Sequence, residues 1–381
     1  MKVAGDWLDH PGTQALIAAL GTAGHRALFV GGCVRNAVLG LPVLDTDLAT
    51  DATPEIVTNI AEKAGFHAIP TGFDHGTVTV VVEGRPHEVT TFRQDVETDG
   101  RRAVVAFSTS IKEDAARRDF TMNALYADAE GRVIDPLGGL VDTLARRVRF
   151  VGDAELRIRE DYLRILRFFR FHACYGDPDA GLDADGLAAC AAFSAGLDTI
   201  SRERIGAEMR KLLGAADPAP SVAAMAQAGI LARVLPGADH RALAPLVHLE
   251  RDIAPRWLRR LAVLGGTEVE TALRLSRAEA RDLVALRSAI GGMDSPAALG
   301  WRSGADVGTD AVLARAAVLG TPPTKDWQSE VARGAAATFP VTAADLMPNF
   351  QGEALGARLK ALEATWLAGG LRQARAELLE S

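Results

Sequence analysis

Cysteine is nearly absent from this sequence. Three occur in 381 residues, Cys33, Cys174 and Cys190, and none belongs to a CxxC pair. That excludes a disulfide scaffold and a thiolate zinc site, and it points to a reducing compartment. Aromatics are scarce too, at 6%. No apolar run approaches the roughly 18 residues that a bilayer span needs. Residues 1–10 carry Asp6 and Asp9 where a secretory leader would need an apolar core, so the cytoplasm is the expected compartment and no membrane is expected as a partner. An excess of basic charge is also missing: the formal net charge is −7. A nucleic-acid partner would call for basic groups. They are gathered rather than absent, since residues 101–170 hold 14 Lys and Arg against 11 Asp and Glu. An acidic chain can carry a basic cleft.

What is plentiful is Ala, Leu and Arg, a bias that favours helix. With 48% apolar and 24% charged residues the chain is of globular type, and 381 residues exceed what one core usually organises. Residues 1–25 read as helix, with Leu16, Ile17 and Leu20 at helical spacing. Residues 27–30 form a short apolar strand, Gly31-Gly32 a turn, and residues 34–39 a short helix. Residues 45–50 read as a strand, and Pro54 opens a helix. Residues 76–83 and 87–92 read as a hairpin around Gly84-Arg85. Residues 98–110 are expected to be a mobile loop, 113–125 a helix, and 133–135 a last strand. Beyond about 150 strand signals vanish. Tyr162, Ile165, Leu166 and Phe169 mark a helical core stripe. Pro/Gly clusters then punctuate further helices, and no fixed-period repeat is present.

The chemistry-bearing residues fall into three blocks. The first is Val30-Gly31-Gly32-Cys33-Val34-Arg35-Asn36, followed by Asp45-Thr46-Asp47-Leu48. Two glycines between strand and helix let the backbone approach a phosphate, the helix start offers free N–H groups, and Arg35 can add a bidentate contact. Asp45 and Asp47, at i and i+2 of a strand, would share one face. Paired hard oxygens suit Mg2+ held jointly with substrate phosphates, although an isolated DxD also suits a solvated strand edge or a helix cap. Glu88, on a later strand, is the candidate third acid. None of the eight histidines is followed by Asp, so a histidine–aspartate phosphohydrolase motif is missing. The second block is Arg117-Arg118-Asp119-Phe120-Thr121-Met122-Asn123, whose arginines can hold phosphate while Asp119, Thr121 and Asn123 fix the backbone. The third runs through residues 159–170, with Asp161 and Arg164 as i, i+3 neighbours. By itself this pair also reads as a helical salt bridge worth a few tenths of a kcal/mol.

Together and in this order, the blocks resemble the class II tRNA nucleotidyltransferase/poly(A) polymerase family of the polymerase-β superfamily. The resemblance is strong over residues 27–172. The runs 197–213 and 352–368 also resemble the family's neck helices and the tail of its bacterial members. It implies an α+β fold: a small mixed-sheet head over 1–150, then an all-helical neck (151–215), body (216–330) and tail (331–381), the tail gripping tRNA. It further implies that Gly32, Arg35 and Arg118 contact the incoming nucleotide. Asp45 and Asp47 would ligate Mg2+, while Asp161, Arg164, Arg167 and Arg170 select and hold the nucleotide. One position departs, because the family has Asp after the Val-Arg pair and this chain has Asn36.

The implied reaction is attack of an RNA 3′-hydroxyl on the nucleotide α-phosphate, with pyrophosphate leaving. Asp161 can only accept and Arg164 can only donate. Such a pair matches the amine donor and ring-nitrogen acceptor of C and A, and clashes with U and G. CCA addition to tRNA from CTP and ATP is the leading expectation. Poly(A) polymerase and CC-only or A-only enzymes are the alternatives within the family. Residues 331–381 balance five basic against five acidic residues, so the basic arm suited to non-specific RNA is missing. A non-catalytic helical RNA-binding protein is the rival from another class.

Overall fold

A computed structural model describes residues 1–72, 76–99 and 102–381. The chain divides into two compact units, Met1–Ile200 and Ser201–Ser381. The architecture is α+β, with every strand in the first unit.

The first unit begins with α1 (Pro11–Thr22), β1 (Ala27–Val30), α2 (Gly32–Leu39), β2 (Asp47–Thr50) and α3 (Pro54–Lys63). There follow β3 (His67–Gly72), β4 (Thr77–Val82), β5 (Arg85–Thr91), β6 (Arg93–Asp99), β7 (Arg102–Phe107), α4 (Ile111–Ala116), β8 (Tyr126–Ala127), β9 (Val133–Ile134) and α5 (Gly139–Leu144). Three helices complete it: α6 (Ala154–Glu160), α7 (Leu163–Tyr175) and α8 (Ala184–Ala192). Among the described residues, seven strands form one sheet in the order β3-β4-β5-β2-β1-β8-β9. Its pairs are antiparallel except β2 with β5, which run parallel with Asp47 opposite Glu88 and Leu48 opposite Val89.

Alternation along the strands gives each face its own core. Phe29, Leu48 and Val89 join Leu16, Ile17 and Leu20 of α1 and Val57 of α3 on one face. Leu28, Val30, Ala49 and Tyr126 join Phe92, Ala115 and Ala124 on the other. Asp47 and Glu88, one residue out of step with Leu48 and Val89, therefore belong to this second face.

Three expectations are corrected. The segment expected as a mobile loop over 98–110 contributes to a hairpin. β7 pairs with β6 from Arg93 opposite Phe107 to Asp99 opposite Arg102, as befits the Val-rich run Arg102–Phe107; residues 100–101 lie outside the described residues. The helix expected over 113–125 stops at Ala116. Asp114 draws back Arg117 and Arg118, and Phe120 turns extended to bridge Phe150. There its ring packs against Phe150, Phe168 and Phe171, with centroids 4.7–6.4 Å apart. Finally, β2 starts at Asp47, so Asp45 lies before the strand rather than on it.

The second unit is helical. Helices Pro296–Leu319 and Trp327–Ala336 approach so closely that a Cβ on Gly334 would lie 1.9 Å from the Ala297 carbonyl oxygen, and one on Gly300 2.1 Å from that of Val331. Ala297 and Ala298 share a core with Val341, Leu362, Trp366 and Leu378. Arg259 and Arg260, fully buried, are paired with Glu250; Arg259 also meets Asp310, and Arg260 the Leu213 carbonyl at the end of helix Arg202–Leu213. Among the described residues no helix is long and apolar enough to cross a membrane.

Candidate active site

The site is built where β1 ends. Gly31 adopts φ 72°, ψ −117°, a backbone that a side chain would strain, and α2 starts at the next residue, Gly32. A Cβ on Gly31 would come within 3.4 Å of Arg118 Nη1. The left-handed glycine is thus Gly31, while Gly32 supplies the first helical residue.

The acids gather through the parallel pairing. Asp47 and Glu88 are register partners on adjacent strands and point to one face. Crowding by protein raises the Asp47 carboxyl above its ordinary range; the carboxylates of Glu88 and Asp45 push the same way, and Arg118 opposes them. Asp45, Asp47, Glu88 and Arg118 therefore share one electrostatic neighbourhood. Asp45 and Asp47 come together through the loop entering β2, not through a shared strand face.

Arg118 is fixed by its surroundings. Its Nη2 donates to Asp114 Oδ2 (2.9 Å) and its Nε to the Tyr126 hydroxyl (3.2 Å). Burial would pull its pKa down, but Tyr126 and Asp114 outweigh that and raise it. Arg35 is buried and differs from the phosphate-facing arginine expected. It donates to Asn36 Oδ1 from Nε (3.1 Å) and Nη2 (2.8 Å) and to Asn123 Oδ1 from Nη1 (2.5 Å), and it lies 3.8 Å over the Tyr175 ring. Burial lowers its pKa, and Arg170 adds to that. Asn36 thus acts as a neutral acceptor for its neighbour and donates in turn to the Pro42 carbonyl (2.8 Å).

From Asn123 the chain of bonds continues. Its Nδ2 donates to Asp119 Oδ1 (2.9 Å), and Asp119 Oδ2 accepts from Arg167 Nε (2.8 Å) and Nη2 (2.5 Å). Asp119 is buried, yet Arg167 and Asn123 hold its pKa low against that burial. Helix α7, the Arg118-Asp119 segment and the glycine turn are thereby tied into one network. Arg170 stacks on Phe171, 4.5 Å from the ring centre.

Asp161 ends α6, and its Oδ1 accepts from Leu163 N (3.1 Å), capping the start of α7. Arg164 is held by Glu160 and by the carbonyls of Arg157 (2.8 Å) and Arg117 (3.3 Å). Its ion partner is thus the i−4 residue Glu160, across the break between α6 and α7. Sequence reasoning passed over Glu160 and Asp114, though each stands four residues before its arginine, the spacing of a helical ion pair. It also passed over Tyr126, for which no local signal exists.

Residues 27–149 match a family model described as poly A polymerase head domain, and residues 182–241 one described as probable RNA and SrmB-binding site of polymerase A. The CCA-adding enzyme of Geobacillus thermodenitrificans (strain NG80-2) is 42% identical over 251 residues, 65% of this chain and 59% of that one. The mitochondrial CCA tRNA nucleotidyltransferase 1 of Mus musculus is 41% identical over 203 residues, 53% of this chain and 47% of that one. The chain spans about half the length of the curated relatives it matches. Among solved structures, the Bacillus stearothermophilus CCA-adding enzyme in complex with CTP superposes with a TM-score of 0.74 at 31% identity, over 96% of this chain and 94% of that one. The Thermotoga maritima CCA-adding enzyme complexed with tRNA shares the fold, with a TM-score of 0.70 at 19% identity, over 100% of this chain and 98% of that one.

Proposed function

The chain belongs to the family of CCA-adding tRNA nucleotidyltransferases and poly(A) polymerases, and on that premise we propose that it adds C, C and A to the 3′ end of tRNA. CTP and ATP would be its substrates, and no nucleic-acid template would be used. The observation that carries this reading is the meeting of Asp47, Glu88 and Arg118 beside the Gly31 turn.

Among the described residues, no three His, Cys, Asp or Glu side chains form a ready-made metal cluster. The neighbouring carboxylates of Asp45, Asp47 and Glu88 nonetheless fit Mg2+, which takes one or two carboxylates and completes its shell with phosphates and water. Asp45 and Asp47 would hold it, with Glu88 as the third acid. Bound there, the ion would supply activation of the RNA 3′-hydroxyl and neutralisation of triphosphate charge.

The chain's own groups do the rest. Arg118 offers positive charge where the triphosphate meets the acids, and the Gly31-Gly32 backbone allows close approach. Arg35 supports the turn from below through Asn36 and Asn123, and Arg167 braces it from α7 through Asp119. Asp161 accepts from the exocyclic amine of C or A, while Arg164 donates to the ring nitrogen. With three cysteines and no CxxC pair, we place the protein in the cytoplasm.

The test is labelling of a tRNA that lacks its 3′ CCA, with CTP and ATP supplied separately and together, with and without Mg2+. Two C additions from CTP and a final A only afterwards are expected. The Asp47→Asn chain should lose roughly a hundredfold or more in rate, with its melting temperature no lower than that of the wild type. Incorporation of a long A tract without CTP would overturn CCA addition in favour of poly(A) synthesis.

A further inference from the structure

Asp114, Tyr126 and Arg118 close a ring of hydrogen bonds. The Tyr126 hydroxyl donates to Asp114 Oδ2 (2.6 Å), the same oxygen accepts from Arg118 Nη2 (2.9 Å), and Arg118 Nε donates back to the Tyr126 oxygen (3.2 Å). The other Asp114 oxygen takes Arg117 Nε (2.9 Å). Asp114 and Tyr126 are fully buried. Tyr126 sits in β8, packed edge-on against Phe92 at 6.4 Å, and Ala115 and Ala124 belong to the same core. The ring of bonds is therefore anchored in the sheet's second core and cannot drift with solvent.

This arrangement leaves the guanidinium little freedom. Two of its three nitrogens are bonded to rigid partners. The third, Nη1, lies against Gly31, and the side chain keeps 18% of its surface exposed. An arginine meant only to neutralise Asp114 would gain nothing from an edge turned to the glycine turn. A flexible arginine would also lose rotamer freedom each time it gripped a ligand, a cost that prior fixation removes.

We propose that Asp114 and the Tyr126 hydroxyl are positioning residues, which hold the Arg118 guanidinium against the Gly31 turn so that its outer edge receives the phosphates of the incoming nucleotide. The inference rests on the functional reading above, because it takes a nucleoside triphosphate as the ligand. Neither residue touches that ligand; both act through Arg118.

Tyr126→Phe is the test, since it keeps the ring in the core and removes only the hydroxyl. Losing a bond to a charged group should raise KM for CTP and for ATP by roughly tenfold. Values of kcat should stay within about twofold, and the preference for CTP over UTP should not change. In an Arg118→Ala background the same substitution should alter KM by less than about twofold, because the group through which it acts is gone. Unchanged KM in the single variant, or losses that add in the double variant, would overturn the proposal. A chain that adds no nucleotide would sink the functional reading by itself. Positioning is then decided by the Arg118 Nε–H signal in NMR of arginine-labelled protein. Slow exchange in the wild type that becomes fast in Tyr126→Phe supports it, and equal exchange in both overturns it.

Discussion

Burial first, and then the charges of Glu88 and Asp45, set the Asp47 carboxyl against its own ionisation, so it adds nothing to stability. Perturbed carboxyls of this kind cluster at functional sites. Asp161 presents the opposite ambiguity, because its cap on Leu163 N is a sufficient structural reason for an Asp there. The two roles separate by measurement. Losing a cap costs about 1 kcal/mol of stability and leaves base choice untouched. Losing a base-reading acceptor should cost roughly ten- to a hundredfold in kcat/KM with CTP and ATP. The ratio of kcat/KM for CTP over UTP should therefore fall in Asp161→Ala; an unchanged ratio leaves Asp161 as a helix cap. The glycine pair, the two aspartates and the Arg-Arg-Asp block were legible in the sequence because their chemistry is uncommon at those spacings. Their mutual bonds were not. Nothing in Arg35's neighbours announces that Asn123, 88 residues away, takes one of its donors.

Elements were legible where one physical signal dominated. The β4–β5 hairpin follows from alternating Val and Thr with glycine at the bend, and α7 from its apolar stripe. β3 carries mostly exposed residues and no alternation, so only its pairing with β4 makes it a strand. The premature end of α4 was hidden because it depends on Phe120 finding partners in α7 and at Phe150. Helix contact in the second unit gives a sharper case. Glycine is needed at Gly334 for the approach of the Ala297 carbonyl. Gly334→Ala should therefore cost about 1–3 kcal/mol by forcing the two helices apart. A fall in the urea midpoint with unchanged slope would register it, and an unchanged midpoint would show that the helices can shift freely. The same packing joins residues 341–378 to helix Pro296–Leu319, so removing the tail would uncover part of this core.

At the scale of the molecule, composition announced a globular, helix-rich chain of more than one unit. It concealed the basic groups of residues 101–170 beneath a net charge of −7. It also gave no sign of His87, buried on the α1 side of β5 with neither ring nitrogen bonded. Burial first, then the charges of Arg85 and His10, lower its pKa from 6.5 to about 4. The unfolded chain takes up that proton near pH 6.5 and the folded chain refuses it until about 4, so stability falls as pH drops across this window. The loss of melting temperature between pH 7 and pH 5 should be smaller in His87→Leu, and an equal loss would clear His87 of the effect. His87 also gives the parallel pairing of β2 with β5 a second meaning. Strand neighbours face opposite ways, so a slip of one residue would carry an imidazole into the acid cluster and bury Glu88 against α1. The misaligned molecule would break up the acid cluster and strand a carboxylate among apolar side chains at the same stroke. A slipped register is thus penalised twice, once on each face of the sheet.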